Sequence, residues 1–139
     1  MHRVILAVTL TCLAVPTIGQ AQTLVVSQNK CEGEHLGDIR AFADSAWIPI
    51  TQELVNEGKL INAGSAFHSW GDEWNVIYWY TVDDIPAFLS AWSELISRTQ
   101  ERYPNGLALA RGWCFEHKDS MYSVGAVTTP PPPPPQGNR

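Results

Sequence analysis

The chain has 139 residues, with 14 acidic and 9 basic side chains and a formal net charge of −5 at neutral pH. This acidic balance, without a cluster of Lys or Arg, argues against binding to nucleic acid and against attraction to anionic membranes. The length fits one domain with a single hydrophobic core.

Residues 1–21 have the pattern of a cleaved export signal. Arg3 supplies the positive charge, residues 4–15 form an apolar run of 12 residues, and residues 19–21 offer the small side chains of a cleavage site. The run is too short for a membrane-spanning helix, which needs about 20 apolar residues. We therefore expect a secreted or periplasmic protein, cleaved after Ala21 and with no membrane insertion once the signal is removed.

Two cysteines, Cys31 and Cys114, remain after such a cleavage. A pair is the number expected for one disulfide in an oxidising compartment, and this one would close a loop of roughly 84 residues. Two buried free thiols are the alternative. Neither cysteine lies in a C-x-x-C pair of the kind that binds metal.

The first half of the domain reads as a strand followed by a helix. β-branched and aliphatic residues from Thr23 predict a strand that ends near Cys31. Apolar residues then recur every three or four positions over 36–54, which predicts an amphipathic helix. Pro49 should kink or split this helix, and Gly58 should end it.

A hairpin and a second helix follow. Residues 61–70 are rich in small side chains, Gly71 and Asp72 are typical of a two-residue turn, and residues 74–82 form the strongest predicted strand. Asp83 or Asp84 can cap the next helix, with Pro86 in its first turn. The predicted buried stripe of this helix consists of Phe88, Leu89, Trp92, Leu95, Ile96, Thr99 and Tyr103. Residues 107–112 are ambiguous, and a last strand is predicted within 113–127.

The order strand, helix, strand, strand, helix, strand predicts a ferredoxin-like α+β domain over 22–127. Its antiparallel four-stranded sheet would be covered by two helices and have the strand order 4-1-3-2, which brings Cys31 close to Cys114. Residues 128–139 contain six consecutive prolines and predict an extended tail outside the fold. Such a tail is either a solvated spacer or a ligand for a proline-binding partner.

The strand at 74–82 carries bulky side chains on both faces, although two helices cover only one face of such a sheet. The open face would then expose Ile77 and Trp79, or else Tyr78 and Tyr80, as a large apolar patch. We expect a second copy of the chain to cover this patch, which predicts a homodimer.

The βαββαβ order, the Trp-Gly-Asp-Glu hairpin at 70–73, the aromatic third strand and the ending "CFEHKDSMYSV" resemble the dimeric α/β-barrel superfamily. More narrowly, they resemble small exported bacterial members of uncharacterised function. The resemblance spans about residues 23–125 and implies a sheet-to-sheet dimer with a cavity between sheet and helices. The superfamily includes cofactor-free monooxygenases, haem-binding members, stress-responsive barrels and NIPSNAP-type proteins. It shares a shape and not a site, so no catalytic residue is carried over.

His68, Trp70, Asn75 and Trp79 are the candidate ligand-binding residues. A two-residue turn pairs His68 with Asn75 between the two tryptophans, whereas a three-residue turn would put His68 beside Val76. The first register creates a polar spot in an aromatic setting, where His68 could bind a ligand or act as a general base. The alternative is a histidine satisfied by Asn75 within a dimer interface.

The other polar residues give weaker signals. His35, His68 and His117 lack metal-ligand spacing, and no phosphate-binding loop is present in the sequence, so we predict neither a metal site nor a cofactor. The charged run 116–119 is either a solvated edge or a rim that orients a polar ligand. The leading functional hypothesis is a small, partly apolar molecule bound in an aromatic-lined cavity of an exported homodimer. The alternatives are a cofactor-free monooxygenase- or isomerase-like enzyme that uses His68 as base, and an interaction protein with a proline-rich tether.

Overall fold

A computed structural model describes residues 22–69 and 73–126 of the protein. The strands are β1 (Thr23–Cys31), β2 (Asn62–Phe67), β3 (Val76–Val82) and β4 (Cys114–Ser123), and the helices are α1 (Leu36–Phe42), α2 (Ile48–Asn56), α3 (Ile85–Arg102) and α4 (Gly106–Gly112). A 3-10 turn at Gly33–His35 precedes α1, and a π turn at Ala43–Trp47 joins α1 to α2. The predicted export signal, Trp70 with the turn Gly71-Asp72, and the proline-rich tail lie outside the described residues.

The four strands form one antiparallel sheet in the order β2-β3-β1-β4, so the predicted ferredoxin-like α+β fold is confirmed. Val25 and Tyr80 point from the sheet into a core that Trp47, Leu54 and Leu95 complete from the helices. Within the described ranges, no helix is both long and apolar enough to span a membrane.

The first helical segment is split in two, as predicted: a π turn separates α1 from α2, and Pro49 lies in the first turn of α2. An α-helix would use the N–H of residue 49 to bond the Ser45 carbonyl, and proline lacks that N–H. The hydroxyl of Tyr103 donates a hydrogen bond of 3.2 Å to this carbonyl instead. Tyr103 was predicted to be buried, but it is exposed because its hydroxyl reaches the helix from the domain surface.

The second long helix, α3, begins as predicted and buries a slightly different stripe. Asp84 is the N-cap, and its Oδ1 accepts a hydrogen bond of 2.8 Å from the Ala87 N–H. The fully buried positions are Phe88, Ala91, Leu95 and Thr99. Leu89 is 58% exposed, which corrects its predicted burial, because the apolar stripe is centred on positions 88, 91, 95 and 99.

Replacing the cap residue of α3 should destabilise the domain measurably. We expect Asp84→Ala to lower the free energy of unfolding by about 1 kcal/mol, because the Ala87 N–H loses its acceptor. Urea unfolding followed by circular dichroism measures the change. Asp83→Ala is the matched control, since Asp83 is the exposed neighbour, and equal losses in the two variants would contradict the capping role.

Residues 107–112, ambiguous in the sequence, form α4, which leads into the disulfide. Cys31 and Cys114 are bonded and lie opposite each other on β1 and β4, so the predicted pairing is confirmed. The register shifts there, because Lys30 pairs with Glu116 although Cys31 pairs with Cys114. Phe115 is the extra residue of this β-bulge, and its side chain is 67% exposed.

An ion-pair network joins α2 to α3 and should make stability depend on acidity. Arg98 donates two hydrogen bonds of 2.8 Å to Glu57, and this arginine with Lys59 lowers the pKa of Glu57 from 4.5 to about 2. A lowered pKa in the folded state stabilises the fold above pH 4.5, and this contribution is lost as the pH falls towards 2.

Removal of the central arginine should therefore weaken this pH dependence. We expect the melting temperature of Arg98→Met to fall less than that of the wild type across the acidic range, measured by circular dichroism at a series of pH values. Lys118→Met is the control, because Lys118 is exposed on β4, away from the α2–α3 network. Parallel acid profiles for Arg98→Met and the wild type would show that the network does not control acid stability.

Candidate functional site

The hairpin has the register of a two-residue turn. Phe67 pairs with Val76, and the His68 N–H donates a hydrogen bond of 2.9 Å to the Asn75 carbonyl. The Asn75 side chain, however, bonds both backbone groups of Cys31. Its Oδ1 accepts a hydrogen bond of 2.8 Å from the Cys31 N–H, and its Nδ2 donates one of 2.7 Å to the Cys31 carbonyl. Asn75 therefore links β3 to the end of β1 through these two hydrogen bonds.

The other predicted ligand residues lie on the open face of the sheet or beside it. His68 is exposed at the end of β2. The Trp79 indole lies across Gly64, where an added Cβ would collide with the indole ring. Trp70 lies outside the described residues. A ligand role for these residues stays a prediction, and it concerns a different surface from the cavity described next.

A cavity of about 670 Å³ lies between the helix-facing side of the sheet and the helices α1, α3 and α4. It is open to solvent on one side, and none of His68, Asn75 and Trp79 lines it. Its lining includes aromatic, hydroxyl and charged side chains: Ser27, Trp47, Tyr78, Tyr80, Phe88, Trp92, Arg111, His117 and Asp119.

Aromatic rings form the apolar wall of the cavity. The Trp47 and Trp92 rings meet edge to face with centroids 5.7 Å apart, and Trp47 Nε1 donates a hydrogen bond of 2.9 Å to the Tyr80 hydroxyl. Burial raises the pKa of Tyr80 well above its usual range, so this phenol stays neutral. Phe88 packs against both Tyr80 and Trp92, with ring centroids 5.8 and 5.9 Å away.

A polar row crosses the floor of the cavity. Ser27 on β1 lies opposite Tyr78 of β3 and opposite Asp119 of β4, so these three side chains leave the sheet on the same face. Burial, with a smaller contribution from the charge of Asp44, raises the pKa of Tyr78 to about 12 and keeps its hydroxyl a donor at neutral pH. Among residues 22–69 and 73–126, neither the Ser27 nor the Tyr78 hydroxyl has a hydrogen-bond partner, so both can serve a ligand.

The mouth of the cavity carries charged side chains from β4 and α4. His117 Nε2 lies 3.0 Å from Asp119 Oδ2, and both side chains are exposed at the edge strand. Arg111 extends from the last turn of α4 and also lines the cavity. The run 116–119 therefore alternates, with His117 and Asp119 towards the cavity and Glu116 and Lys118 towards the open face.

The sequence pattern places Trp47 and Trp92 in helices and does not indicate that Tyr78 and Arg111 line a cavity. It indicates Asp119 only as part of the run 116–119, for which a solvated edge was the alternative to a ligand rim. The available signal was the i, i+2 spacing of His117 and Asp119 on a predicted strand, which places both on one face. That face could not be assigned to the helix side from the sequence, because the bulge at Phe115 reverses the alternation.

One further cluster lies outside the cavity. Ligand atoms of Glu32, Glu34 and His35 fall within 4.8 Å of one another at the surface, and the His35 ring stacks on Trp113 with centroids 4.8 Å apart. Exposed carboxylates gather around a histidine without a metal, and the contacts of His35 with Glu32 and Asp38 account for this arrangement. The prediction that the protein has no metal site stays a prediction.

The fold and the cavity together define a ferredoxin-like protein with an aromatic pocket between sheet and helices. A NIPSNAP family protein of unknown function from Agrobacterium tumefaciens is similar in structure, with a TM-score of 0.63 and 10% identity over 78% of this chain and 93% of that one. A dimeric ferredoxin-like protein from an uncultured marine organism has a TM-score of 0.61, with 10% identity over 81% of this chain and 94% of its own. A NIPSNAP-like domain protein from Burkholderia xenovorans has a TM-score of 0.61, with 14% identity over 83% and 94% of the two chains.

At such low identity these likenesses establish the shared fold and nothing about activity. No protein-family model matches the sequence, and no curated protein matches it significantly.

Proposed function

We propose that this protein is an exported homodimer that binds a small, partly apolar molecule in the cavity between the sheet and the helices. The observation that carries the proposal is an aromatic cavity of about 670 Å³ whose floor presents the hydroxyls of Ser27 and Tyr78, neither of which has a hydrogen-bond partner in the described part of the chain. Pockets for small molecules are typically about 300–1,000 Å³, mostly apolar, with a few polar groups that orient the ligand.

The binding proposal is tested by filling the cavity. 2-Naphthylmethanol is a suitable probe because it has an apolar aromatic body and one hydroxyl. We expect it to quench the fluorescence of Trp47 and Trp92 and to raise the melting temperature, since a ligand that binds only the folded state stabilises it by mass action. Ala110→Phe should abolish both effects, because Ala110 lines the cavity and the added ring would occupy it.

Ala108→Phe is the matched control. Ala108 lies on the same helix two residues away, is exposed and does not line the cavity, so this variant should bind the probe as the wild type does. A probe that leaves both fluorescence and melting temperature of the wild type unchanged would remove the basis of the proposal. Equal binding by Ala110→Phe would place the probe elsewhere on the protein.

The homodimer is supported by the open face of the sheet. Register and alternation place Val26, Ile77, Trp79 and Tyr122 on the face away from the helices, and Tyr122 is 54% exposed in the single chain. A contiguous apolar patch of this kind is typical of an interface. The marine ferredoxin-like protein of the same fold is described as dimeric, and we infer the same assembly here, with the two open faces packed together.

Sedimentation velocity at micromolar concentration tests the dimer. Tyr122→Glu should shift the protein to monomers, because a carboxylate would be buried in the interface without a partner. Leu109→Glu is the control, since Leu109 is 53% exposed but lies on α4, on the helix side. A monomeric wild type would overturn the homodimer, and a dimeric Tyr122→Glu would overturn the open face as its interface.

Export is supported by the charge and hydropathy pattern of residues 1–21 and by the Cys31–Cys114 disulfide, since disulfides persist mainly in oxidising compartments. Fractionation of the native host followed by mass spectrometry should find a mature chain that begins at Gln22 outside the cytoplasm. An intact chain with Met1 in the cytoplasmic fraction would contradict export.

A further inference from the structure

The mouth of the cavity contains a cation, the guanidinium of Arg111. Among the described residues, no carboxylate lies within ion-pair distance of Arg111. Arg98, Arg102, Lys59 and Lys30, in contrast, are each paired with at least one glutamate. Lys118 is likewise unpaired within the described ranges, but the register of β4 directs it to the open face of the sheet. In the part of the chain that the structure describes, Arg111 is therefore the unpaired cation that lines the cavity.

The acidic side chain at the mouth already has a partner. Asp119 is the carboxylate among the described residues that line the cavity, and its Oδ2 lies 3.0 Å from His117 Nε2. The imidazole of His117 is the partner of this carboxylate, and the guanidinium of Arg111 keeps its donors for another group.

From this arrangement we infer that the ligand of the cavity is an aromatic or similarly apolar carboxylic acid, with its carboxylate paired with Arg111 and its body against Trp47, Tyr78 and Trp92. A guanidinium presents donors in a planar fork that matches a carboxylate. The hydroxyls of Ser27 and Tyr78 offer further donors on the floor of the same cavity. The inference rests on the proposed binding function and specifies the charge of the ligand.

Three probes with the same naphthalene ring and a negative, neutral or positive substituent test this inference: 2-naphthoate, 2-naphthylmethanol and 2-naphthylmethylamine. With the full-length protein near neutral pH, isothermal titration calorimetry should rank the carboxylate above the alcohol by about tenfold in affinity, since a hydrogen bond to a charged group has a value of this order. The protonated amine should bind more weakly than the alcohol, because its charge repels Arg111.

The variant Arg111→Gln should remove the preference for the carboxylate, so that the carboxylate binds no more tightly than the alcohol. Lys118→Gln is the matched control, because it removes the same charge from the opposite face of the sheet and should keep the wild-type ranking. Arg111→Lys should restore part of the preference, since the ammonium keeps the charge without the fork. The melting temperature of each variant, measured without ligand, shows whether the fold is retained.

The outcomes separate this inference from the function on which it rests. If none of the probes binds the wild type, both the cavity function and the ligand class fail. Binding of the carboxylate and the alcohol with equal affinity would keep the cavity function and overturn the ligand class. A preference for the amine would show that Asp119, not Arg111, sets the charge of the ligand, and would also overturn the inference.

Discussion

Reduction of the Cys31–Cys114 disulfide is expected to lower the free energy of unfolding by about 2–5 kcal/mol. The bond links the end of β1 to the start of β4 across a sequence separation of 83 residues. A cross-link over such a long loop restricts the unfolded chain strongly, and the chain-entropy model gives about 4–5 kcal/mol for it. The bond also fixes the strand ends beside the cavity, which Cys114 helps to line.

Urea unfolding with and without reductant measures the effect. The double variant Cys31→Ala/Cys114→Ala should unfold at the same lower urea concentration in both conditions, which separates loss of the bond from other actions of the reductant. Identical unfolding midpoints for the oxidised and reduced wild type would show that the disulfide does not contribute to stability.

Trp47→Ala is expected to lower the free energy of unfolding by about 3–5 kcal/mol, the usual cost of deleting a buried aromatic side chain. Trp47 is 5% exposed and contacts Tyr78 and Trp92 with ring centroids 5.8 and 5.7 Å away. Its removal would enlarge the cavity and leave the buried Tyr80 hydroxyl without its donor. Two costs therefore combine, the lost packing and an unpaired polar group.

Trp113→Ala is the matched control for this deletion. Trp113 is half-buried and stacks on the partly exposed ring of His35, so its loss exposes less apolar surface and should cost clearly less. Chemical unfolding of both variants gives the comparison. Equal destabilisation by the two substitutions would contradict a special role for Trp47 in the cavity wall.

The strands and helices were predicted correctly where the residue types and spacing within a segment indicate the same element that the packed domain contains. The β-branched and aliphatic residues of β1, the aromatic residues of β3, the helical spacing from Leu36 and the cap before Ile85 each indicate an element locally. The glycine at position 71 predicted a two-residue turn, and the pairing of Phe67 with Val76 has the register of such a turn. The disulfide followed from topology, because the first and last strands of this fold are neighbours.

The predicted ligand-binding residues His68, Asn75 and Trp79, in contrast, do not line the cavity, and their role in binding stays a prediction. His68 and Asn75 are neighbours as predicted, but Asn75 bonds the backbone of Cys31 and neither residue reaches the cavity. A polar pair in an aromatic strand does not reveal whether its side chains serve the backbone or a ligand. Only the positions of the surrounding strands decide this.

The residue pattern was enough to predict the βαββαβ order, the antiparallel sheet and, with two free thiols as the alternative, the pairing of Cys31 with Cys114. Which side of β4 lines the cavity follows only from the three-dimensional arrangement of the strands. Cys31 lies on the helix-facing side of β1, so regular alternation from Cys114 would direct Glu116 and Lys118 towards the helices. The bulge at Phe115 inserts one residue and reverses this alternation, because side chains on a strand change face at every residue. His117 and Asp119 face the cavity for that reason.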